Sequence, residues 1–412
     1  MLGRICKGGP GNMIEHVWVF DKIPKEDIHG RIDGLRRLMA KNHIDFGIIF
    51  QNVDRFYFTG SMQKGILVIP VNKEPLFFVE KSIERAKIET PLDIIPIKND
   101  KEIRKVLDHN GLLSGRAGLE LDVLPVSTFE RLKKVLGFER YADVSPSIKE
   151  LREVKSPFEI EQLKKSGKML THVFAKAKDV VREGATELYI DATLVAEGRK
   201  LGHQGFLRMR GINQEMITLT VQCGFTGAVT PCADVPIGGA GLTPAVPQGS
   251  SLKKVERGVP VTIDYGGGYN GYITDETRVF VVGELKEMFR KPYEAAREIM
   301  EDIQSYAKEG VDCVDIFSRA YRIAEKAHLQ NYFMGCGEGQ VSFIGHGLGL
   351  EINELPVITA RHGKILKEGM VFAFEPKFVL PPHGAIGIEL DFIVRPHGLE
   401  RITGNSVDII YV

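Results

Sequence analysis

The stretch Val261–Phe280, VTIDYGGGYNGYITDETRVF, carries the clearest structural signal in the second half of the chain. Two β-rich runs flank a glycine-rich segment whose residues tolerate the positive φ angles of a tight turn. A hairpin centred on Tyr269–Asn270 would place Asp264 opposite Asp275, with Cβ atoms about 5 Å apart. Two carboxylates at that distance repel each other unless they share a proton or a cation. The alternative is a surface hairpin with two solvated aspartates, but the pair favours a site for a divalent metal ion.

A second stretch repeats this arrangement further along the chain. Phe372–Asp391, FAFEPKFVLPPHGAIGIELD, carries Glu375 before a Pro-Pro-His-Gly reversal and Glu389 after it. Between the two hairpins, His346 is bracketed by glycines in GHGLGLE. Carboxylate oxygens and one imidazole nitrogen are ligands that suit a pair of divalent metal ions.

Composition narrows the class of protein. The chain has 412 residues, enough for two or three domains, and 54 basic residues balance 54 acidic ones. The zero net charge gives no support for nucleic-acid binding. Its five cysteines are scattered without a CxxC motif, which fits reduced thiols better than disulfides. We find no apolar run long enough for a membrane span or a signal peptide, and we therefore expect a soluble cytoplasmic protein without nucleic-acid or membrane partners.

The chain divides into three predicted parts. Residues 1–20 form an arm, residues 21–154 a small α/β domain, and residues 155–412 a second domain. Near the boundary, Ser156-Pro157-Phe158-Glu159 combines an N-cap serine, a first-turn proline and a capping-box glutamate. We expect a helix from this point to Gly184, and further helices at about 187 onward, 287–308 and 312–328. In the first domain, Asn52–Ser61 is predicted to be a loop that ends in a short aromatic strand.

These residues resemble the pita-bread metallohydrolases, which include prolidase, Xaa-Pro aminopeptidase, methionine aminopeptidase and creatinase. Asp275-Glu276-Thr277-Arg278 is similar to the family motif D-x-T-R, and Gly345–Pro356 (GHGLGLEINELP) is similar to GHGxGLxxHExP. Met370–Pro376 (MVFAFEP) resembles the strand that carries the first glutamate ligand. The first domain resembles the creatinase/prolidase N-terminal domain through Arg31–Asp45, Asn52–Gly60 and Lys155–Leu163.

The resemblance implies a fold, a ligand set and an assembly. It implies an α/β (α+β) chain: an RNase H-like N-terminal α/β domain, then a pita-bread catalytic domain. Asp264 would hold one metal ion, His346 and Glu375 the other, and Asp275 and Glu389 would bridge them. The ions would be Mn, Co, Fe or Zn, with Glu375 carrying a proton to the leaving nitrogen. The family also implies a homodimer.

Three positions outside the metal ligands depart from the prolidase pattern. Gln248 and Asn353 stand where prolidases have histidines, and Gly387 stands where they have an arginine that helps to hold a substrate carboxylate. Gln and Asn donate hydrogen bonds but neither carry charge nor transfer protons near pH 7. We expect Gln248 and Asn353 to contact substrate, together with His203 and Arg208, which lie in a segment that the family places near the substrate.

Three functions are consistent with this pattern. The first is a dinuclear Xaa-Pro peptidase of the aminopeptidase or dipeptidase type, acting on small peptides. The second is a metal-dependent hydrolase of another C–N bond, such as a small amide or cyclic amidine, in the manner of creatinase or ectoine hydrolase. The third is a non-catalytic pita-bread binding protein, which the intact ligand set disfavours because unpartnered carboxylates are costly to bring together.

Overall fold

The computed structural model describes residues 21–404 and 406–412, so the predicted arm of residues 1–20 lies outside the described residues. The chain separates into two compact units. The first extends to Arg152 and includes Gly211–Asn213, and the second comprises Glu153–Arg210 and Gln214–Val412. The domain limits of 21–154 and 155–412 remain a proposal from the sequence.

The first unit is a mixed sheet with helices between its strands. In chain order its elements are α1 (Lys25–Lys41), β1 (Phe46–Ile49), α2 (Asn52–Thr59), β2 (Gly65–Pro70), β3 (Leu76–Val79), α3 (Ile83–Glu89), β4 (Ile94–Pro96), α4 (Asp100–His109), β5 (Arg116–Leu119), α5 (Val126–Leu136), β6 (Arg140–Asp143) and α6 (Ser145–Glu153), whose last residue belongs to the second unit. The strand order is β4-β3-β2-β1-β5-β6. Strands β1, β2 and β3 pair antiparallel, and the remaining pairs are parallel. A buried apolar cluster that includes Phe46, Val68 and Leu107 forms the core of this unit.

One prediction for the first unit is wrong. Asn52–Thr59 forms helix α2, not a loop leading into a strand. The side chain of Gln51 caps it by accepting a hydrogen bond from the Asp54 backbone N–H at 2.8 Å. Gly60, with φ of 75°, ends the helix in the left-handed conformation that glycine adopts readily. The aromatic residues suggested a strand, but these two caps favour a helix.

The second unit contains long helices and antiparallel strands. Its elements are α7 (Pro157–Val180), α8 (Glu187–Lys200), β7 (Leu219–Cys223), β8 (Val261–Tyr269), β9 (Tyr272–Val281), α9 (Arg290–Tyr306), α10 (Cys313–Lys326), β10 (Phe343–Gly347), β11 (Glu354–Thr359), β12 (Val371–Phe374), β13 (Lys377–Leu380), β14 (Gly384–Gly387), β15 (Leu390–Arg395), β16 (Gly398–Arg401) and β17 (Ile410–Tyr411). One sheet has the order β11-β10-β12-β15-β16, another β17-β9-β8-β7, and β13 pairs with β14. Among the described residues, no helix is long and apolar enough to cross a membrane.

Helix α7 begins as predicted and ends earlier. Ser156 Oγ accepts the Glu159 N–H at 3.3 Å, and Glu159 accepts the Ser156 N–H at 3.1 Å, which completes the capping box. The helix ends at Val180, before the predicted Gly184. The Gly184 N–H instead donates to the Val255 carbonyl oxygen at 3.0 Å, so pairing with a distant segment replaces the last helical turn.

The β8–β9 hairpin turns one residue later than predicted. Its two turn residues are Asn270 and Gly271, with φ of 50° and 88°, the combination that favours a two-residue type I′ turn. Asp264 therefore pairs with Thr277, and Asp275 pairs with Gly266. The two aspartates are diagonal neighbours on one face, which puts their Cβ atoms somewhat under 7–8 Å apart, not about 5 Å.

Candidate metal centre

The five predicted ligands come from two hairpins and one further strand. Asp264 lies on β8 and Asp275 on β9, while His346 lies on β10. Glu375 stands between β12 and β13, and Glu389 between β14 and β15. The β12–β15 pairing and the β13–β14 pairing have the same register, so these two glutamates face each other in one continuous hairpin.

A backbone bridge joins the two hairpins at the site. The Thr277 N–H donates to the Glu389 carbonyl oxygen, and the Glu389 N–H donates to the Thr277 carbonyl oxygen, each at 3.3 Å. The Thr277 hydroxyl also donates to Glu389 Oε2 at 2.7 Å. Thr277 therefore fixes both the backbone and the carboxylate of Glu389.

Three of the predicted ligands can reach one ion. One donor atom from each of Asp275, His346 and Glu389 lies within 4.8 Å of the other two. The His346 Nε2 atom is 3.8 Å from Glu389 Oε1 and 3.9 Å from Glu375 Oε1. This is an oxygen-and-nitrogen donor set of the kind that divalent transition metals prefer.

Lys377 lies inside the same cluster. Its ammonium Nζ is 2.6 Å from Glu389 Oε2, 2.9 Å from Glu375 Oε2 and 3.2 Å from Asp264 Oδ2. The Lys377 side chain is only 3% exposed. The ammonium therefore contacts three of the five predicted ligands and is itself shielded from water.

Asp391 adds a further buried carboxylate beside the ligands. Its Oδ2 atom accepts the Asp275 N–H at 2.8 Å, and its own N–H donates to the Thr403 hydroxyl at 2.8 Å. The backbone of Asp275 is thereby fixed, while the Asp275 Oδ1 atom is buried without a hydrogen-bond partner. A buried carboxylate oxygen with no partner is well suited to a cation.

The electrostatics of the cluster show an excess of negative charge. Burial, reinforced by repulsion from Glu389, raises the pKa of Asp275 well above its ordinary value. Burial also raises the pKa of Glu389 to about 8, although the Lys377 ammonium opposes this change. Burial alone would lower the pKa of Lys377, but Asp264, Glu375 and Glu389 together raise it well above its ordinary value. One ammonium does not neutralise these carboxylates, so the residues fit an additional cation.

The predicted substrate residues His203 and Arg208 already have protein contacts. His203 is buried, with Nε2 2.9 Å from the Gly266 carbonyl oxygen and Nδ1 accepting the Gly205 N–H at 2.9 Å. Burial lowers the pKa of His203, so its neutral form is favoured. The guanidinium of Arg208 lies 4.7 Å from the centre of the Phe206 ring, and burial lowers its pKa.

Gln248 and Asn353 also bind backbone groups. Gln248 Nε2 donates to the Glu215 carbonyl oxygen at 3.0 Å. Asn353 accepts the Arg210 N–H at 2.9 Å and donates to the Arg210 carbonyl oxygen at 3.0 Å. Both amides thus hold neighbouring loop segments, and a role in substrate binding remains a prediction for all four residues.

Gly387 is buried and pairs with Lys377 across the β13–β14 hairpin. A Cβ atom at position 387 would lie 2.6 Å from the Cα and Cγ atoms of Lys377 and from the Pro376 carbonyl oxygen. Contacts that short do not occur between real side chains, so the hairpin requires glycine here while Lys377 keeps its place. The arginine that prolidases carry at this position has no room in this backbone.

Comparison with known proteins identifies the family. Residues 161–396 match the model of metallopeptidase family M24, and residues 31–154 match the creatinase/prolidase N-terminal domain. The chain belongs to metallopeptidase family M24. The family implies a peptidase that uses divalent metal ions, and Asp275, His346 and Glu389 provide a candidate site for them.

Individual relatives match this chain over almost its full length. An Xaa-Pro dipeptidase of Pyrococcus furiosus is 29% identical over 383 residues, covering 92% of this chain and 99% of that protein. The solved X-Pro aminopeptidase of Thermotoga maritima has a TM-score of 0.77 at 26% identity, over 92% of this M24 chain and 100% of its own. The Xaa-Pro dipeptidase of Bacillus anthracis has a TM-score of 0.81 at 24% identity, over 93% and 100%. These likenesses confirm the predicted pita-bread architecture with its preceding α/β domain.

Lys377 and Asp391 have no assigned role in the sequence-based site. Each stands two residues after a predicted glutamate ligand, Lys377 after Glu375 and Asp391 after Glu389. Residues two apart in a strand point to the same face of a sheet. This spacing was the available signal that both charged groups lie beside the ligands.

Proposed function

We propose that the protein is a metal-dependent Xaa-Pro peptidase. The observation that carries this proposal is the convergence of Asp275, His346 and Glu389 on one point, with Glu375 and Asp264 in the same cluster. Xaa-Pro dipeptidase and X-Pro aminopeptidase are the printed names of relatives that match over nearly the whole chain. The proposed substrates are short peptides with proline in the second position.

The proposed metal ligands are Asp264, Asp275, His346, Glu375 and Glu389. The partnerless Asp275 Oδ1 atom and the raised pKa of Glu389 support a cation at this position. The donor set favours Mn, Co, Fe or Zn over ions that prefer thiolates. When bound, such an ion polarises a carbonyl and makes hydroxide available near neutral pH. The sequence predicts two ions. The position of Lys377 among the predicted ligands affects how many ions can bind.

The protein's own residues position the reaction. Thr277 holds the carboxylate of Glu389 through the 2.7 Å hydrogen bond, so this ligand has one orientation. In the proposal the Glu375 carboxylate accepts a proton from the attacking water and transfers it to the leaving nitrogen. The low exposure of Lys377 and Glu389 shows that little bulk water enters around these groups, which strengthens their electrostatic effect.

One observation favours the second candidate, a hydrolase of a neutral amide or another C–N bond. Gly387 provides no side chain for a substrate carboxylate, and the Lys377 ammonium opposite it is bound to three carboxylates. A substrate without a free carboxylate near this hairpin would lose nothing from that arrangement.

We extend the proposal to assembly and location. A homodimer and a cytoplasmic location follow from the family resemblance and from the cysteine pattern. The cysteines among the described residues support reduced thiols, since Cys223, Cys232, Cys313 and Cys336 are all free.

A substrate panel tests the proposed function. Purified protein reconstituted with Mn²⁺ or Co²⁺ should release the first residue from Ala-Pro-Ala, which mass spectrometry can follow. Ala-Ala-Ala serves as the control peptide, and a small amide and a cyclic amidine represent the second candidate. Cleavage of the non-proline peptide at an equal rate, or of the small amide alone, would reject the Xaa-Pro assignment.

A further inference from the structure

Lys377 is placed as a fixed part of the metal centre. Its Nζ atom contacts Asp264, Glu375 and Glu389 at 2.6–3.2 Å, and its side chain is almost completely buried. The Lys377 carbonyl oxygen accepts the Met334 N–H at 2.8 Å, so its backbone is held from the other side. The position of the ammonium is therefore fixed by a buried side chain and a hydrogen-bonded backbone.

The strand opposite Lys377 leaves space for this side chain. Gly387 pairs with Lys377, and any Cβ atom at position 387 would lie 2.6 Å from Lys377 Cγ. The same Cβ atom would lie 2.6 Å from the Lys377 Cα atom and from the Pro376 carbonyl oxygen, so this backbone requires glycine at 387. Gly387 therefore presents no side chain to the cluster, whereas the Lys377 ammonium lies within it.

Glu375 and Glu389 each direct their two carboxylate oxygens to different sides of the cluster. The Oε1 atoms of Glu375 and Glu389 face His346 Nε2, at 3.9 and 3.8 Å. Their Oε2 atoms both accept hydrogen bonds from Lys377 Nζ, at 2.9 and 2.6 Å. The cluster therefore has two cation positions, one on the His346 side and one on the Asp264 side.

The Lys377 ammonium already contacts the carboxylate oxygens that a second metal ion would need as ligands. A metal ion binds carboxylate oxygens at about 2.0–2.2 Å, and Asp264 Oδ2 and both Oε2 atoms already surround Lys377 Nζ. On the other side, donor atoms of Asp275, His346 and Glu389 lie within 4.8 Å of one another and remain available.

We propose that the centre binds one divalent ion, held by Asp275, His346 and Glu389 with Glu375 Oε1 beside them, and that the Lys377 ammonium occupies the second cation position. This inference rests on the proposed function, because it specifies the metal centre of that peptidase. It replaces the sequence-based expectation of two ions by one ion and one ammonium.

Metal counting tests the inference without any activity assay. Chelator-treated protein is titrated with Mn²⁺ by calorimetry, desalted and analysed for metal by mass spectrometry. We expect one ion per wild-type chain and two per Lys377→Ala chain, because alanine removes the ammonium and leaves its position open to an ion. Electron paramagnetic resonance gives a second readout: isolated Mn²⁺ in the wild type, and magnetically coupled Mn²⁺ pairs in the variant.

A matched variant controls for the loss of any buried lysine. Lys155 is also buried, and its Nζ atom is 3.1 Å from Glu354 Oε2. Lys155→Ala should bind one ion, as the wild type does.

Several results would overturn the inference. Two ions in the wild type, no ion in the wild type, or one ion in a folded Lys377→Ala would each do so. If Lys377→Ala does not fold, the wild-type count and spectrum decide alone. One ion per chain without cleavage of any Xaa-Pro peptide would reject the proposed function and leave the metal count standing, whereas two ions with cleavage would do the reverse.

Discussion

Amidation of the C-terminal carboxylate of Ala-Pro is expected to change kcat/KM by less than tenfold. A charge-assisted contact to that carboxylate contributes roughly 1.5–3 kcal/mol. At about 1.4 kcal/mol per factor of ten, this contact would favour the free acid by roughly 10- to 100-fold. Gly387 has no side chain to make the contact, and Lys377 is engaged with three carboxylates. Xaa-Pro dipeptides should therefore be poor substrates, and longer peptides or neutral amides should be handled no worse.

The assay compares kcat/KM for Ala-Pro and Ala-Pro-amide at fixed metal concentration. Ala-Pro-Ala and its amide serve as the control pair, because their terminal charge lies one residue further away. A preference of tenfold or more for Ala-Pro over its amide would show that the site does bind the carboxylate. In that case Arg208→Ala would show whether the Arg208 guanidinium makes that contact.

Three further predictions concern the ligands, the first unit and the assembly. Glu389→Ala should lower the metal content and abolish hydrolysis, while Asp312→Ala, which removes the N-cap of α10, should keep both; full metal content and activity in the Glu389 variant would contradict the assignment. Burial and repulsion from Asp54 raise the pKa of Glu120 well above its ordinary value, so the folded state binds more protons than the unfolded state. Relative to Glu120→Gln, the unfolding free energy of the wild type should therefore decrease as pH rises above 4.5, by up to about 1.4 kcal/mol per pH unit. Urea unfolding of both proteins at pH 5 and pH 7 measures the difference between their unfolding free energies, and an equal difference at the two pH values would contradict the prediction. Light scattering should show a dimer of about 92 kDa, twice the 45.9 kDa of one chain, and a monomer alone at micromolar concentration would count against it.

Much of the second unit could be predicted because its signals are local. The capping box at Ser156 and the glycine-rich turn after β8 specify a helix start and a hairpin from neighbouring residues alone. The register error of the β8–β9 hairpin has a local cause as well. The Asn270-Gly271 pair takes positive φ at both turn positions, and this preference outweighs the symmetry suggested by the two aspartates.

Other features depend on contacts between distant parts of the chain. The role of Lys377 follows from oxygens on Asp264, Glu375 and Glu389, which only the folded hairpins bring together. Asn353 likewise binds the backbone of Arg210, a residue far away in the sequence. The family pattern placed Asn353 near the substrate but contained no information about its backbone partner here.

Metal-dependent cleavage of Xaa-Pro peptides is tested most directly by hydrolysis of Ala-Pro-Ala before and after removal of bound metal. Chelator-treated protein should be inactive, and addition of Mn²⁺ or Co²⁺ should restore cleavage of the Ala-Pro bond in wild type but not in Glu375→Gln. Cleavage that survives complete metal removal, or metal-reconstituted protein that cleaves no Xaa-Pro peptide, would contradict the assignment as a metal-dependent Xaa-Pro peptidase.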